Sequence, residues 1–251
     1  MLSSSFLGLV LATTVGAAPF HGLNSTKWTP EHILQPDEVI LYGEGRMEVV
    51  HESVYHNLIA SDGISEATPE VPAPSHPFKT PSSNSLEKRQ CDLTTAVITD
   101  RSETFVDWDV QMSPVIIGTG DGITVSVTSG YSVSNSVSVS GGADWTVVKD
   151  KLGLSFGVDY SRTWTSSASI NIAAKVADGY SGVMITKPIK TRKYGRVLKG
   201  CIGSQTESGT FSADSFEEKE YAGIKWVSGA ITLCSKKEFP LSRCTGSGNF
   251  V

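Results

Sequence analysis

The sequence predicts an all-β protein, an elongated antiparallel sheet or sandwich with two very long Ser/Thr-rich strands. Residues 123–140 carry apolar side chains mainly at odd positions and Ser or Thr at even positions. Residues 152–172 repeat this alternation, with apolar side chains mainly at even positions. A period of two residues is typical of strands whose two faces meet different surroundings. Shorter apolar runs separated by Gly, Asp or Pro follow in the rest of the C-terminal part, and only Phe216–Tyr221 suggests a helical turn.

The N-terminus predicts export. Residues 6–18 form an apolar run that is too short to span a bilayer as a helix. The run ends in Val15-Gly16-Ala17, which has the small side chains that signal peptidase requires. We therefore predict a signal peptide over residues 1–17 with cleavage after Ala17, and a secreted, extracellular protein.

Residues 18–89 are predicted to be a leader that is removed from a mature domain at residues 90–251. Residues 61–85 contain five Pro among many Ser and Thr, a composition typical of an exposed linker. The dibasic pair Lys88-Arg89 follows the linker, and a kexin-type protease needs such a pair in extended chain. Composition also changes there: residues 1–89 hold five Lys/Arg and ten Asp/Glu, which leaves sixteen of each in the remainder.

The leader contains one segment that predicts structure. Residues 37–50 indicate two short strands around a Gly-x-Gly turn, and a helical turn is expected over residues 51–59. Asn24 begins the glycosylation sequon Asn-Ser-Thr. A leader of this kind either assists and restrains the mature domain or serves as a passive spacer, and the sequence leaves both roles open.

All four cysteines follow the predicted cut, and an exported domain with four cysteines is expected to form two disulfides. Three pairings are possible. We favour Cys234 with Cys244, which are ten residues apart. This choice pairs Cys91 with Cys201.

The residue types available argue against an enzyme. No His follows residue 89, so the mature domain lacks a Ser-His-Asp or Cys-His mechanism and a His-based zinc site. Asp107 and Asp109 flank Trp108 and are expected to share one strand face. Two carboxylates beside an aromatic ring on which a sugar could stack suggest a glycosidase pair. Adjacent carboxylates on one face usually mark a solvent-facing edge instead. We predict no enzymatic activity and no cofactor, with a secreted hydrolase as the weakest alternative.

A run of cations predicts a surface for anionic partners. It has no acidic residue within it and consists of Lys187, Lys190, Arg192, Lys193, Arg196 and Lys199. Phosphate headgroups, sulfated glycans or nucleic acid would suit such a run, and a host membrane or cell-surface glycan is the partner we predict, not nucleic acid. The alternative is a solvated hairpin whose charge is balanced by Glu217, Glu218 and Glu220.

Two resemblances extend this interpretation. The signal, the acidic leader with Leu-Tyr-Gly-Glu-Gly-Arg-Met-Glu-Val at residues 41–49, the Lys-Arg cut and the four-cysteine domain resemble fungal secreted effector-type proteins. Residues 133–140, Ser-Gly-Gly-Ala-Asp-Trp at 140–145 and residues 153–169 resemble the Ser/Thr-rich strands of aerolysin-like β-pore-forming proteins. The second resemblance implies a toxin-like homo-oligomer that inserts a β-hairpin into a membrane.

In such a hairpin the apolar faces meet lipid and the hydroxyl-bearing faces meet water. The candidate lipid-facing residues are Ile123, Val125, Val133, Val137, Leu154, Phe156, Val158 and Tyr160. Two other interpretations remain open at this stage. The same strands suit a soluble sandwich with one face on a core, and the chain suits a non-enzymatic binding module that recognises a host or cell-wall surface.

Overall fold

The structure, a computed structural model, describes residues 25–43, 46–69, 94–169, 171–202 and 204–251. Within these ranges the chain forms seventeen strands and two helices, which confirms the all-β class. The predicted signal peptide with Ala17, the sequon at Asn24, the processing pair Lys88-Arg89 and Cys91 all lie outside the described residues.

The N-terminal part holds five elements, of which the sequence predicts the last three. They are β1 (Thr26–Lys27), β2 (Ile33–Leu34), β3 (Glu38–Gly43), β4 (Arg46–His51) and helix α1 (Glu52–Ser61). Strands β3 and β4 form the expected antiparallel pair, and α1 follows at once. The His51 ring begins α1, because its Nδ1 accepts a hydrogen bond from the Ser53 N–H at 3.1 Å.

The C-terminal part holds the other elements. Its first strands are β5 (Thr94–Val106), β6 (Val110–Gln111), β7 (Ile116–Ile117), β8 (Ile123–Ser126), β9 (Ser132–Ser134) and β10 (Ser136–Gly141). Helix α2 (Trp145–Phe156) follows. The later strands are β11 (Thr163–Thr165), β12 (Ala173–Val176), β13 (Ser181–Gly200), β14 (Thr206–Phe216), β15 (Glu218–Tyr221), β16 (Ile224–Val227) and β17 (Gly229–Lys236).

Strand β13 organises the fold. It has 20 residues, and at about 3.3 Å per residue it runs for about 65 Å. Its first part, Ser181–Pro188, pairs with β17 on one edge and with β6 and β7 on the other. Its second part pairs with β14 and with β5. The sheet order is β1-β4-β3-β17-β13-β14-β10, so strands from the predicted leader form one end of the main sheet.

Buried side chains form four clusters around this sheet. The main core lies between β3, β4, β13 and β17 and the small sheet β2-β12-β8. A second cluster, the α1 core, packs α1 against β3, β4 and β17. A third, the α2 core, packs α2 against β10, β13 and β14. The C-terminal core holds the loop after β17 against β13.

The prediction of two very long strands is wrong. Residues 123–140 divide into β8, β9 and β10, which pair with three different strands: β12, β11 and β14. Asn135 separates β9 from β10, because its buried amide donates to the Asp159 carbonyl at 2.8 Å and accepts from the Phe216 N–H at 2.9 Å. Of residues 152–172, the first five lie in α2 and only Thr163–Thr165 form a strand.

The helical turn predicted over Phe216–Tyr221 is also wrong. Phe216 ends β14, and Glu218–Tyr221 form a strand that pairs with Ile224–Val227. The turn between these strands uses positive φ at Ala222 (49°) and Gly223 (79°). Two residues with positive φ favour a tight hairpin over a helix, because this geometry matches the twist of the paired strands.

Candidate functional site

The candidate segment, residues 123–169, keeps its alternation although its strands are short. Ser and Thr at even positions between 124 and 140 are mostly exposed, and the hydroxyl of Ser134 contacts that of Thr163 at 2.8 Å. The apolar residues at odd positions point inward in most cases. Those buried in the main core are Val125, Val127 and Val133, and Val137 is buried in the α2 core. The parity of burial was therefore predicted correctly, and Ile123 is the exposed exception.

Helix α2 replaces the start of the second predicted strand. The Asp144 carboxylate begins the helix by accepting a hydrogen bond from the Val147 N–H at 3.0 Å. Gly157 ends it in the left-handed conformation, with φ of 64°. An acidic N-cap and a Gly C-cap that enclose twelve residues are the signals that could have predicted this helix from the sequence.

The exposure of α2 is unusual for a helix that packs on a sheet. Val148 and Leu152 are buried in the α2 core. Leu154, in contrast, is 88% exposed and Phe156 is 41% exposed. With Ile123, three of the eight predicted lipid-facing residues therefore lie at the surface of this structure. Among the others in the second run, Val158 is half-buried and Tyr160 is buried.

Strand β10 is the part of the candidate segment that belongs to the main sheet, where it pairs with β14 over six residues. The Trp145 ring N–H donates to the Val137 carbonyl at 2.8 Å, and the Lys193 ammonium lies 4.3 Å from the centre of the Phe156 ring. Strands β9 and β11 form a separate two-stranded sheet. Glu218 holds β11, because it accepts a hydrogen bond from the Trp164 ring N–H at 2.8 Å and pairs with Arg162.

The basic run lies along β13, and most of its charges are paired. Lys190 contacts Asp107 at 2.5 Å and Asp214 at 3.2 Å, and the Arg192 Nε contacts Asp214 at 2.6 Å. The hydrogen bond from Arg192 to Asp214 raises the pKa of the guanidinium. The remaining cations in the run also have polar partners. Lys187 contacts Glu52, Arg196 contacts Asp100, Lys193 contacts Ser102 and Lys199 contacts the Gly142 carbonyl.

The acidic partners of the run differ from those suggested by the sequence. Glu217 pairs with Lys219, while Glu218 and Glu220 pair with Lys225. The run is therefore not balanced by these three residues. Because four of its six cations contact carboxylates elsewhere, the run offers little free charge to an anionic partner.

The carboxylates of Asp107 and Asp109 have different structural partners. Asp107 pairs with Lys190. Asp109 is buried and accepts hydrogen bonds from the backbone N–H groups of Cys244 at 2.7 Å and Thr245 at 2.9 Å. Residues 107–109 lie between β5 and β6 and outside both strands, so the strand face predicted for the two aspartates does not form. Asp109 also lies near Cys234 and Cys244, but that disulfide leaves no thiolate to bind a metal.

The preferred disulfide is confirmed where the structure describes it. Cys234 and Cys244 are bonded and connect β17 to the C-terminal loop. Cys201 is also disulfide-bonded, and Cys91, its predicted partner, lies outside the described residues.

Comparison with protein-family models, with curated proteins and with solved structures finds no match. Among the described residues, no helix has the length and apolar character needed to cross a membrane.

Proposed function

We propose that the chain is a secreted, non-enzymatic, toxin-like protein that acts on membranes. In this proposal the candidate segment leaves its soluble fold and forms a β-hairpin in the bilayer, within a homo-oligomer. The observation that carries the proposal is the mismatch between the residue pattern of α2 and its helical conformation.

A helix and a strand distribute the same side chains differently. Each residue of an α-helix rotates by about 100°, so residues four apart share a face while residues two apart lie on nearly opposite faces. Helix α2 accordingly buries Leu152 and leaves Leu154 exposed. In a strand, Leu152, Leu154, Phe156, Val158 and Tyr160 would all lie on one face. A pattern that conflicts with the local fold is expected where a segment has a second conformation.

Length and composition support a membrane-spanning form. A strand needs about 9–11 residues to cross the bilayer. Residues 131–139 and 152–160 number nine each and contain no Lys or Arg. Their one charged residue, Asp159, has the parity that faces water, and Asn135 is the one amide with the parity that faces lipid. Arg162 shares the apolar parity and comes directly after the second range, where its charge would reach the headgroups. The charged residues of the connection, Asp144, Lys149, Asp150 and Lys151, would lie in the turn.

The soluble fold also favours release of this segment before the rest of the sheet. Strands β9 and β11 have three residues each and pair only with each other. The α2 core is separate from the main core, and β10, which the hairpin would also use, lies at the end of the main sheet and pairs with β14 alone. Both elements can therefore leave without breaking the strand pairs of β13. Pairing with equivalent strands in an oligomer would satisfy the backbone groups that the hydrocarbon cannot.

The test compares Leu154→Arg with Ser155→Arg in dye release from liposomes. Both side chains are exposed in the soluble fold, so both variants are expected to keep the wild-type melting temperature. In a hairpin, only residue 154 faces lipid, where an Arg costs about 2–4 kcal/mol near the bilayer centre. We expect Leu154→Arg to abolish leakage and Ser155→Arg to retain it.

Three results would contradict the proposal. The first is that wild-type protein releases no dye. The second is that Leu154→Arg releases as much dye as wild type, and the third is that both variants lose dye release to the same extent. Val133 is unsuitable for this test, because it is buried in the main core and an Arg there would unfold the soluble protein.

The other functions predicted from the sequence have no specific contact in their favour. A binding module would recognise its partner through the basic run, but most cations of this run are already paired with carboxylates. A hydrolase would use Asp107 and Asp109 as its catalytic carboxylates, but these two residues have separate structural partners.

A further inference from the structure

The predicted leader occupies an edge of the main sheet. Strand β3 pairs with β17 through Tyr42–Gly229, Leu41–Ala230 and Ile40–Ile231. Strand β2 adds to β12 in the second layer, as a parallel neighbour. Residues 25–69 therefore contribute strands to both sheets that enclose the main core.

Apolar side chains of the leader are shared between two cores. Those in the main core are Trp28, Leu34, Ile40, Tyr42, Met47 and Val49. Those in the α1 core are Val39, Leu41, Val50, Tyr55 and Ile59, which pack with Val106 and Ala230 of the C-terminal part. Burial on this scale resembles an obligate subunit interface more than a linker lying on a surface.

Polar contacts fix the register between the two parts. The Lys187 ammonium, in a residue only 9% exposed, donates to the Glu52 carboxylate at 2.9 Å. The Thr232 hydroxyl donates to the Glu38 carbonyl at 2.9 Å. After α1, the Ser65 carbonyl accepts a hydrogen bond from the Val106 N–H at 2.7 Å.

No cysteine occurs before residue 91, so no disulfide can hold residues 25–69 to the remainder once the chain is cut. We propose that residues 25–69 nevertheless stay bound to residues 94–251 after cleavage between them, so that the secreted protein is a non-covalent complex of two pieces. Removing the leader would expose the β17 edge and both apolar surfaces to water, which makes dissociation costly. This inference does not depend on membrane activity.

The experiment uses the full exported chain with a specific protease site inserted after residue 80. The cut protein is passed through a size-exclusion column in native buffer and again in guanidinium chloride. We expect one native peak that contains both pieces in equal amounts, and two peaks in denaturant. Two N-termini should be found in the native peak. Separation of the pieces in native buffer at micromolar concentration would overturn the proposal.

A matched pair of variants tests whether the complex uses the interface seen here. Glu52 contacts Lys187 across the interface, whereas Glu66 contacts His56 within the leader. Glu52→Gln should raise the dissociation constant of the cut complex by about tenfold or more, and Glu66→Gln should leave it unchanged. Equal dissociation constants for the two variants would contradict the proposed interface. The melting temperature of each uncut chain shows whether the variant folds.

Discussion

Strand β13 and the run at residues 123–141 show opposite relations between sequence and structure. The run has the clearest two-residue alternation in the chain, yet it forms three short strands. Strand β13 lacks a clean alternation and is continuous over 20 residues. The first eight residues of β13 are all buried, because cores lie on both of its faces.

Alternation of apolar and polar residues therefore indicates which face of a strand is buried, and it does not indicate how long the strand is. A strand buried on both faces has no reason to alternate. A strand continues as far as it has partners, and β13 has neighbours on both edges through most of its length. The run at residues 123–141 changes partner twice, and each change ends a strand.

We expect the greatest loss of stability when a carboxylate that pairs with the cations of β13 is removed. Asp214→Ala leaves Lys190 and Arg192 without their shared carboxylate in a mostly buried position, and should lower the free energy of unfolding by about 3 kcal/mol. Denaturant unfolding measures this change. Asp100→Ala is the control, because its partner Arg196 is about half exposed, and it should lower the free energy of unfolding much less than Asp214→Ala does. Equal costs would mean that the ion pairs of β13 are not protected from water.

Hydrogen exchange tests the contrast in local stability directly. Amides of β13 between residues 183 and 186 should exchange only through global unfolding. Amides of β9, β11 and α2 should exchange about a hundredfold faster, because β9 and β11 share a pairing of only three residues and α2 packs on the smaller α2 core. Similar protection in both regions would contradict the release order on which the proposed membrane hairpin depends.

Two valine-to-alanine substitutions compare the stability of the core at β13 with that of the α2 core. Val183→Ala in β13 removes a fully buried side chain and should cost about 2 kcal/mol of unfolding free energy. Val137→Ala in β10 removes one at the edge of the α2 core and should cost about 1 kcal/mol. Thermal or denaturant unfolding gives both values. A larger cost at Val137 would show that the α2 core is not the weaker region.

The smallest expected effect is a pH dependence where β13 meets the leader. Partial burial raises the pKa of the Glu52 carboxyl, but the hydrogen bond and charge of Lys187 outweigh burial, so this pKa lies below its ordinary value of 4.5. A lowered folded-state pKa gives stability that is present above pH 4.5 and lost as the pH falls through the folded value. The stability difference between wild type and Glu52→Gln should therefore shrink from pH 7 to pH 3. A constant difference across this range would contradict it.

Much of the local structure could be predicted from residue patterns. The strands and helix of residues 37–61 follow from short apolar runs around Gly-x-Gly, and the pairing of Cys234 with Cys244 follows from their short separation. Helix α2 was not predicted, because the two-residue alternation of residues 152–172 was given more weight than the capping residues Asp144 and Gly157. The carboxylate partners of the basic run were missed because Asp100, Asp107 and Asp214 are distant from it in sequence.

Residue patterns alone predict the all-β class and which side chains of residues 125–137 are buried, because both depend on local preferences and on the two-residue period. That β13 is the long strand and that residues 25–69 complete two cores could not be predicted in this way, because the pairing of strands depends on contacts between residues distant in sequence. The tertiary structure also places Leu154 and Phe156 at the surface, where the residue pattern and the fold disagree.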